Sequence, residues 1–326
     1  MGFLLEGTWR KDDQVPTSKE GAFERSQAEF RNWVTPDGAP GPSGKGGYKA
    51  EAGRYHLYVA YACPWAHRAL LLRTLKDLDA LIGVSVVHWY MGDEGWSLEP
   101  DGEAEVGDRI GNAQRLRDVY LRSDPQASGR VTVPVLWDRE TQTIVSNESS
   151  EIVRMFNSAF DNVGANDADF YPAPLRDEID ALNARIYDTV NNGVYKAGFT
   201  RDQGQHESAV RALFETLDAL EVRLGEQRFL TGDAVTEADW RLFPTLLRFD
   251  PVYVTHFKCN LRRLADYPNL LGYTRDLYQW PGVRETINLE HTRLHYYRSH
   301  GSVNPSALVP LGFEVDLEAP PQRGPL

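Results

Sequence analysis

A cysteine followed by a proline stands where a strand-like pattern gives way to a helical one. The segment from Ala62 to Arg68 reads ACPWAHR. Proline costs little in the first helical turn, because the N–H that it lacks would have no intrahelical partner there. Cys63 is therefore expected at the mouth of a helix, where unpaired N–H groups and the helix dipole favour a thiolate. Because such placement lowers a cysteine pKa from about 8.5 to roughly 3.5–7.5, the segment predicts a nucleophile; a buried structural cysteine is the alternative.

The second half of a Cys-x-x-Cys pair is missing from this segment. Ala66 stands in the fourth position. A mixed disulfide on Cys63 would therefore be resolved by a thiol from outside the chain, and glutathione is the abundant candidate. The other cysteine, Cys259, has neither a following proline nor a nearby cysteine, and we expect a half-buried residue outside the chemistry.

A valine–proline pair, Val133 and Pro134, is the second feature that could serve such a reaction. A proline that opens a strand belongs at a sheet edge or a strand start, because it cannot donate to the ladder. If the bond is cis, Val133 would turn its backbone N–H and C=O toward Cys63, where they could pair with a peptide. An ordinary strand start is the alternative.

The segment from Ser146 to Glu151, SNESSE, is the third feature. Ser149 is predicted to cap the helix that follows, whose free N–H groups would receive a carboxylate. Glu148 could accept from an α-ammonium group, and the γ-glutamyl end of glutathione offers both partners. An ordinary N-cap without a ligand is the alternative.

Apolar periodicity predicts the elements that would position these residues. Strands are predicted at 54–61, 84–89, 131–137 and 143–145, and helices at 66–75, 112–122 and 149–156. A loop at 91–107 is long for a compact domain, which indicates function rather than simple connection. The order of these elements is that of a thioredoxin-like α/β domain.

The rest of the chain divides around that domain. We expect an irregular arm at 1–52, the thioredoxin-like domain at 53–160, an all-helical domain at 174–300 after a linker, and an extended tail at 301–326. Helices of the second domain are predicted at 175–190, 207–224, 236–247, 261–279 and 283–288. Thr236 and Asp239 predict a capping box, which serves folding rather than chemistry.

Composition limits the classes of partner. The 326 residues are enough for two domains, and a formal charge of −12 disfavours nucleic acid and anionic lipid. No apolar run reaches the ~18 residues of a membrane span, and no secretory signal is recognised. Two cysteines suit a reducing compartment, so we expect a cytoplasmic protein. His291 and His295 have a spacing that metal ligands use, but Thr292 stands where a zinc motif has Glu, so no metal is expected.

Together these segments resemble the cysteine-type glutathione transferases and, within them, the xi class of glutathionyl-hydroquinone reductases. The resemblance runs nearly from end to end. It is carried by residues 30–33, 63–68, 129–137, 146–149, 191–198, 248–254 and 295–300. It implies a thioredoxin-like domain followed by an all-α glutathione-transferase domain, in a homodimer.

The resemblance also implies roles for individual residues. Cys63 would attack the sulfur of a glutathionyl-hydroquinone, and Tyr195 would give a proton to the aromatic carbon. Tyr253 and Tyr296 would lie around the aromatic substrate, and Arg298 nearby could lower the pKa of the donor. The co-substrate glutathione would be bound by Trp96, Arg130, Val131, Thr132, Val133, Pro134, Glu148 and Ser149.

Two other functions stay open. An omega-like thioltransferase or dehydroascorbate reductase would use the same Cys63 on different substrates. A non-catalytic, transferase-like assembly module would need no thiolate, and the intact Cys63-Pro64-Trp65 segment argues against it.

Overall fold

The computed structural model describes residues 2–11, 16–43, 45–100, 106–313 and 315–323. The chain forms two compact units. The first unit contains Met1–Gln14, Ser26–Ala168 and Thr286–His295, and the second contains Val15–Arg25, Asp169–Glu285 and Tyr296–Leu326. These bounds differ from the sequence-based ones, because the N-terminal arm and the last helix each contribute residues to both units.

The first unit is built on a four-stranded sheet. Its elements are β1 (Gly2–Leu5), β2 (Thr8–Lys11), β3 (Trp33–Thr35), β4 (Gly47–Lys49), β5 (Tyr55–Val59), α1 (Pro64–Leu75), β6 (Gly83–Val86), β7 (Met91–Gly92), β8 (Gly95–Trp96), α2 (Leu116–Ser123), β9 (Gly129–Arg130), β10 (Val135–Asp138), β11 (Thr143–Ser146) and α3 (Ser149–Ser158). The sheet order is β11-β10-β5-β6, with only β6 parallel to its neighbour. All residues of β5 and β10 are buried, and α1 packs on α3. This is the predicted thioredoxin-like arrangement.

Two predicted elements of this unit have different bounds. The strand expected at 131–137 is interrupted, because β9 ends at Arg130 and β10 begins only after Pro134. The helix expected at 112–122 begins at Leu116. The Asp118 carboxylate accepts from the N–H groups of the two residues before that helix, at 3.0 and 2.9 Å, and so fixes its start.

The N-terminal arm holds four short strands rather than only irregular turns. β1 and β2 form a hairpin through Glu6 and Gly7, whose φ angles of +48° and +74° suit a two-residue turn. Further along, the N–H of Asn32 donates to the carbonyl of Val145 at 3.0 Å, so the arm covers the edge of β11. The composition misleads here because the partners of the arm lie far away in the sequence.

The second unit is mainly helical. Its helices are α4 (Arg176–Ile186), α5 (Gly193–Phe199), α6 (Gln203–Glu226), α7 (Glu237–Leu247), α8 (Val254–His256) and α9 (Pro268–Tyr278), and α10 (Leu289–Ser299) has residues in both units. Two π-helical segments, Tyr187–Asn191 and Phe249–Tyr253, follow α4 and precede α8. The predicted capping box is confirmed, since the Asp239 carboxylate accepts from the Thr236 N–H at 2.7 Å. Every helix in the described residues is too short or too polar to cross a membrane.

A buried ion pair ties the start of β5 to the end of β10. Two nitrogens of Arg54 donate to the two carboxylate oxygens of Asp138, at 2.9 and 2.7 Å, and the Asp138 side chain is fully buried. Burial raises the pKa of Asp138, but the hydrogen bonds from Arg54, Thr141 and the Glu140 N–H, together with the charge of Arg54, outweigh burial, and the net result is a pKa below the ordinary value.

Substitution of Arg54 by methionine is expected to lower the free energy of unfolding at pH 7 by about 3–5 kcal/mol, because it leaves a buried carboxylate unpaired. The pair stabilises above the unfolded-state pKa near 4, and its contribution is lost as the pH falls through the lower folded-state pKa. Urea unfolding of Arg54→Met should therefore approach wild type in acid. Arg263→Met, which removes an exposed ion pair with Asp266, is the control and should cost less than about 1 kcal/mol. An equal loss in both variants would contradict the assignment.

Candidate active site

Cys63 is the N-cap residue of α1, between the end of β5 and Pro64. Its backbone is extended, with φ −83° and ψ 119°, and its carbonyl accepts the first helical hydrogen bond from His67 at 3.0 Å. The side chain is partly buried. This is the predicted place, beside the N–H groups that a first helical turn leaves without intrahelical partners.

The Val133–Pro134 peptide bond is cis. The thiol of Cys63 donates to the carbonyl oxygen of Val133 at 3.7 Å. Within the part of the chain that the structure describes, no group accepts a hydrogen bond from the Val133 N–H. The sequence-based prediction required a cis bond at this position, and the bond is cis. The same residue, Val133, therefore carries both the carbonyl that Cys63 contacts and an N–H that is available to a ligand.

Tyr120 connects the two segments that were predicted to bind glutathione. Its hydroxyl donates to the carbonyl of Thr132 at 2.9 Å, and it accepts from the Thr132 N–H at 3.2 Å and the Asn147 amide at 3.1 Å. One donor and two lone pairs are thereby used, so the buried hydroxyl is fully satisfied. The sequence carried no signal for this role, because a single tyrosine on an apolar helix face is common.

Substitution of Tyr120 by phenylalanine is expected to lower the free energy of unfolding by about 1–3 kcal/mol. The loss follows because the N–H of Thr132 and the amide of Asn147 would be left unsatisfied. Urea unfolding measures it. Tyr278→Phe, which removes only a hydroxyl bonded to the exposed Glu318, should change stability by less than about 0.5 kcal/mol; equal effects would show that the Tyr120 hydrogen bonds contribute nothing.

Glu148, not Ser149, is the N-cap residue of α3. Its Oε1 accepts from the N–H and the hydroxyl of Ser150 at 3.0 and 2.8 Å. Ser149 is the first helical residue and is buried. The predicted cap was wrong by one position, because the glutamate carboxylate reaches forward to accept from the N–H of the second helical residue, Ser150, and takes the capping role.

Trp96 lies in the long loop and is almost completely buried. The ring of His295 stacks on it, with ring centroids 4.8 Å apart and planes inclined by 21°. Nδ1 of His295 donates to the carbonyl of Trp89 at 2.8 Å, and burial lowers the pKa of His295 to about 4. His295 is therefore a neutral support for the Trp96 indole at physiological pH.

The other residues predicted to bind glutathione lie at the end of β9 and in the segment between β9 and β10. Arg130 is partly buried, and its guanidinium carbon lies 5.9 Å from the centroid of the Phe3 ring. Val131 is buried and Thr132 is exposed. All of them belong to the same unit as Cys63.

In the second unit, the three predicted tyrosines form one hydrogen-bonded cluster. The hydroxyl of Tyr296 lies 2.5 Å from that of Tyr195 and 3.2 Å from that of Tyr253. All three side chains are buried. Burial raises the pKa of both Tyr253 and Tyr296 well above the ordinary value near 10, so both stay protonated at neutral pH. The Tyr195 hydroxyl therefore lies in a cluster with two neutral phenols, of which Tyr296 is its direct hydrogen-bond partner.

The guanidinium beside the cluster belongs to Arg25, which was not predicted. Its carbon lies 4.8 Å from the centroid of the Tyr195 ring, and its Nε donates to Oδ1 of Asn192 at 2.8 Å. Arg298, which was expected to serve the tyrosines, is exposed on α10, and its guanidinium forms no hydrogen bond or ion pair with any described residue. The arm contributes the cation because it packs on residues some 170 positions later in the chain, roughly half the length of the chain, which no local pattern reveals.

Cys259 is completely buried rather than half-buried as predicted. Burial raises the pKa of its thiol, which stays protonated at neutral pH. Both cysteines lie in the described part of the chain, and both are thiols. Cys259 therefore serves as a matched control for Cys63.

Both units match family models of glutathione transferases. The model described as the glutathione S-transferase N-terminal domain matches residues 62–159, and the model described as the glutathione S-transferase C-terminal domain matches residues 192–276. With the thioredoxin-like sheet and the helical second unit, these matches show that the chain belongs to the glutathione S-transferase family.

Individual relatives define the class. Glutathionyl-hydroquinone reductase YqjG of Escherichia coli K12 is 54% identical over 323 residues, which cover 99% of this chain and 98% of YqjG. Glutathionyl-hydroquinone reductase PcpF of Sphingobium chlorophenolicum is 50% identical over 312 residues, which cover 96% of this chain and 96% of PcpF. The glutathione-bound structure of YqjG matches this chain with a TM-score of 0.91 and 52% sequence identity, and the match covers 99% of both chains. The structure of the Xi class transferase of Natrialba magadii also matches with a TM-score of 0.91, at 46% identity, and the match covers 99% of this chain and 96% of that one. The chain is a member of the xi class, the family of the glutathionyl-hydroquinone reductases.

Proposed function

We propose that this chain reduces glutathionyl-hydroquinones to hydroquinones, with glutathione as the reductant. The position of Cys63 carries the proposal: it caps α1, its thiol contacts the Val133 carbonyl, and Ala66 stands where a resolving cysteine would be. The names of YqjG and PcpF support the substrate class, and the glutathione-bound structure of YqjG supports the co-substrate.

In the first step, the Cys63 thiolate attacks the glutathionyl sulfur of the substrate. A sulfur–sulfur bond forms, the aryl carbon–sulfur bond breaks, and its electron pair stays on the ring carbon. Tyr195 gives that carbon a proton, which completes the hydroquinone. The Tyr195 phenolate that remains is stabilised by the Tyr296 hydroxyl at 2.5 Å and the Arg25 guanidinium over its ring.

In the second step, a glutathione thiolate attacks the mixed disulfide on Cys63. Oxidised glutathione leaves, and the Cys63 thiolate is restored. Tyr195 regains its proton from solvent. The sum is one glutathionyl-hydroquinone and one glutathione converted to one hydroquinone and one glutathione disulfide.

The glutathione moiety is assigned to the first unit. The N–H of Val133 pairs with the peptide backbone, and the start of α3 receives the γ-glutamyl carboxylate while Glu148 accepts from its α-ammonium group. Trp96, Arg130, Val131 and Thr132 complete that site, with Pro134 and Ser149 holding the backbone. A glutathione-rich compartment such as the cytoplasm suits this chemistry. The homodimer that the resemblance implies is to be tested by light scattering.

Turnover on two substrates tests the function. With excess glutathione, a glutathionylated hydroquinone should give hydroquinone and glutathione disulfide in equal amounts, and faster than a small mixed disulfide is reduced. Turnover confined to the mixed disulfide or to dehydroascorbate would favour the omega-like alternative. No turnover of any of them by folded protein would favour an assembly module.

A further inference from the structure

The N-terminal hairpin, formed by β1 and β2, has no role in the chemistry above. Its first strand pairs antiparallel with β9, and Phe3 stands opposite Arg130. The Phe3 ring lies under the Arg130 guanidinium, 5.9 Å from it. At the turn, the N–H of Glu6 donates to the Ser128 hydroxyl at 2.9 Å, and the N–H of Gly7 donates to the Ala127 carbonyl at 3.0 Å. The hairpin is thus bonded to the segment that carries Arg130.

Its second strand contacts the loop that carries Trp96. The indole N–H of Trp9 donates to the carbonyl of Asp93 at 3.0 Å, and Lys11 forms an ion pair with the Asp93 carboxylate at 2.9 Å. The Trp9 ring packs on Gly95 so closely that a Cβ there would lie 2.9 Å from Cη2. Gly95 immediately precedes Trp96, so the ring of Trp9 limits where this loop can lie.

A third contact fixes Trp9 itself. The Arg117 guanidinium carbon lies 5.0 Å from the centroid of the Trp9 ring. Arg117 also donates to the carbonyl and the carboxylate of Glu94 at 3.1 and 2.5 Å. Trp9 is therefore held between α2 and the β7–β8 turn.

We infer that Phe3 and Trp9 are positioning residues for glutathione, because they hold Arg130 and Trp96 at a fixed separation before the ligand arrives. This inference rests on the proposed function, which assigns those two residues to glutathione. A hairpin that orders both residues in advance removes an ordering cost from binding. Loss of the hairpin should weaken glutathione binding and leave the reactivity of Cys63, the N-cap of α1, unchanged.

Trp9→Ala, Trp9→Phe and Leu5→Ala in the full-length chain test the inference. Leu5 is 47% exposed and pairs with Thr8 within the same hairpin, so it is the matched control. Glutathione affinity is measured by calorimetry, KM and kcat by turnover, and Cys63 reactivity by alkylation with iodoacetamide. Trp9→Ala should raise the dissociation constant and the KM for glutathione about tenfold, with kcat at saturating glutathione and the alkylation rate unchanged. Trp9→Phe should recover most of the affinity, and Leu5→Ala should match wild type.

A wild-type dissociation constant in folded Trp9→Ala would overturn the inference, and so would equal losses of kcat and affinity that Trp9→Phe does not restore. If Trp9→Ala does not fold, Phe3→Leu keeps the strand and removes only the ring under Arg130; it should raise the dissociation constant about threefold, and no change would overturn the inference. Calorimetry needs no turnover, which separates the two proposals. If the wild-type chain binds glutathione but does not reduce the substrate, the proposed function is refuted, and the role of the hairpin can still be tested by calorimetry.

Discussion

Substitution of Cys63 by alanine is expected to reduce the turnover of a glutathionylated hydroquinone by about three orders of magnitude or more. The reason is covalent: without the sulfur, the glutathionyl group has no acceptor on the protein. Ala66 offers no substitute, and Cys259 is buried with a raised pKa. Steady-state assays with wild-type and variant protein measure the loss, and circular dichroism checks that the variant is folded.

Cys259→Ala is the matched control, since it removes the other thiol of the chain. It should retain turnover within about twofold of wild type, because a protonated thiol is a poor nucleophile. More than about a tenth of wild-type activity in Cys63→Ala, or a loss in Cys259→Ala as large as that in Cys63→Ala, would refute the role of Cys63.

Tyr195→Phe is expected to slow the reduction of a glutathionylated hydroquinone by about 10²–10⁴-fold, the range for loss of a general acid. The same variant should reduce a small mixed disulfide at nearly the wild-type rate. The difference arises because a thiolate leaves readily without a proton, whereas the electron pair on an aromatic carbon must be protonated. Parallel assays on the two substrates measure it.

Tyr297→Phe controls for the loss of a buried hydroxyl. Tyr297 is the neighbour of Tyr296 on α10, and its hydroxyl donates to the carbonyl of Pro251 at 3.2 Å, with the carbonyl of Val252 at 3.4 Å. Wild-type ratios of the two activities are expected. If Tyr195→Phe lowers both activities equally, Tyr195 serves folding or binding and is not the proton donor.

The position of Cys63 at the start of α1 could be predicted because its signals are local. The Cys63-Pro64 pair, the buried strand before it and the apolar helix after it lie within about 20 residues, and each favours the same structure. The resemblance then singled out three tyrosines, which the structure joins in one hydrogen-bonded cluster.

The missed features depend on partners that are distant in the chain. The strand β1 is stabilised by β9, and the bond between Glu6 and Ser128 spans 122 positions. Arg25 reaches Asn192 over 167 positions. A high content of glycine and charged residues predicts an irregular segment, because composition carries no information about distant residues with which the segment pairs. The π-helical turn that ends at Tyr253 has no sequence signature of its own either.

Mass spectrometry of the protein after one turnover tests the role of Cys63 most directly. The full-length chain is mixed with a glutathionylated hydroquinone in the absence of free glutathione, quenched with acid and digested. One glutathione in disulfide linkage on the Cys63 peptide, released by later addition of glutathione, is the expected result. Hydroquinone formed while Cys63 remains unmodified, or glutathione found on Cys259, would contradict the mechanism.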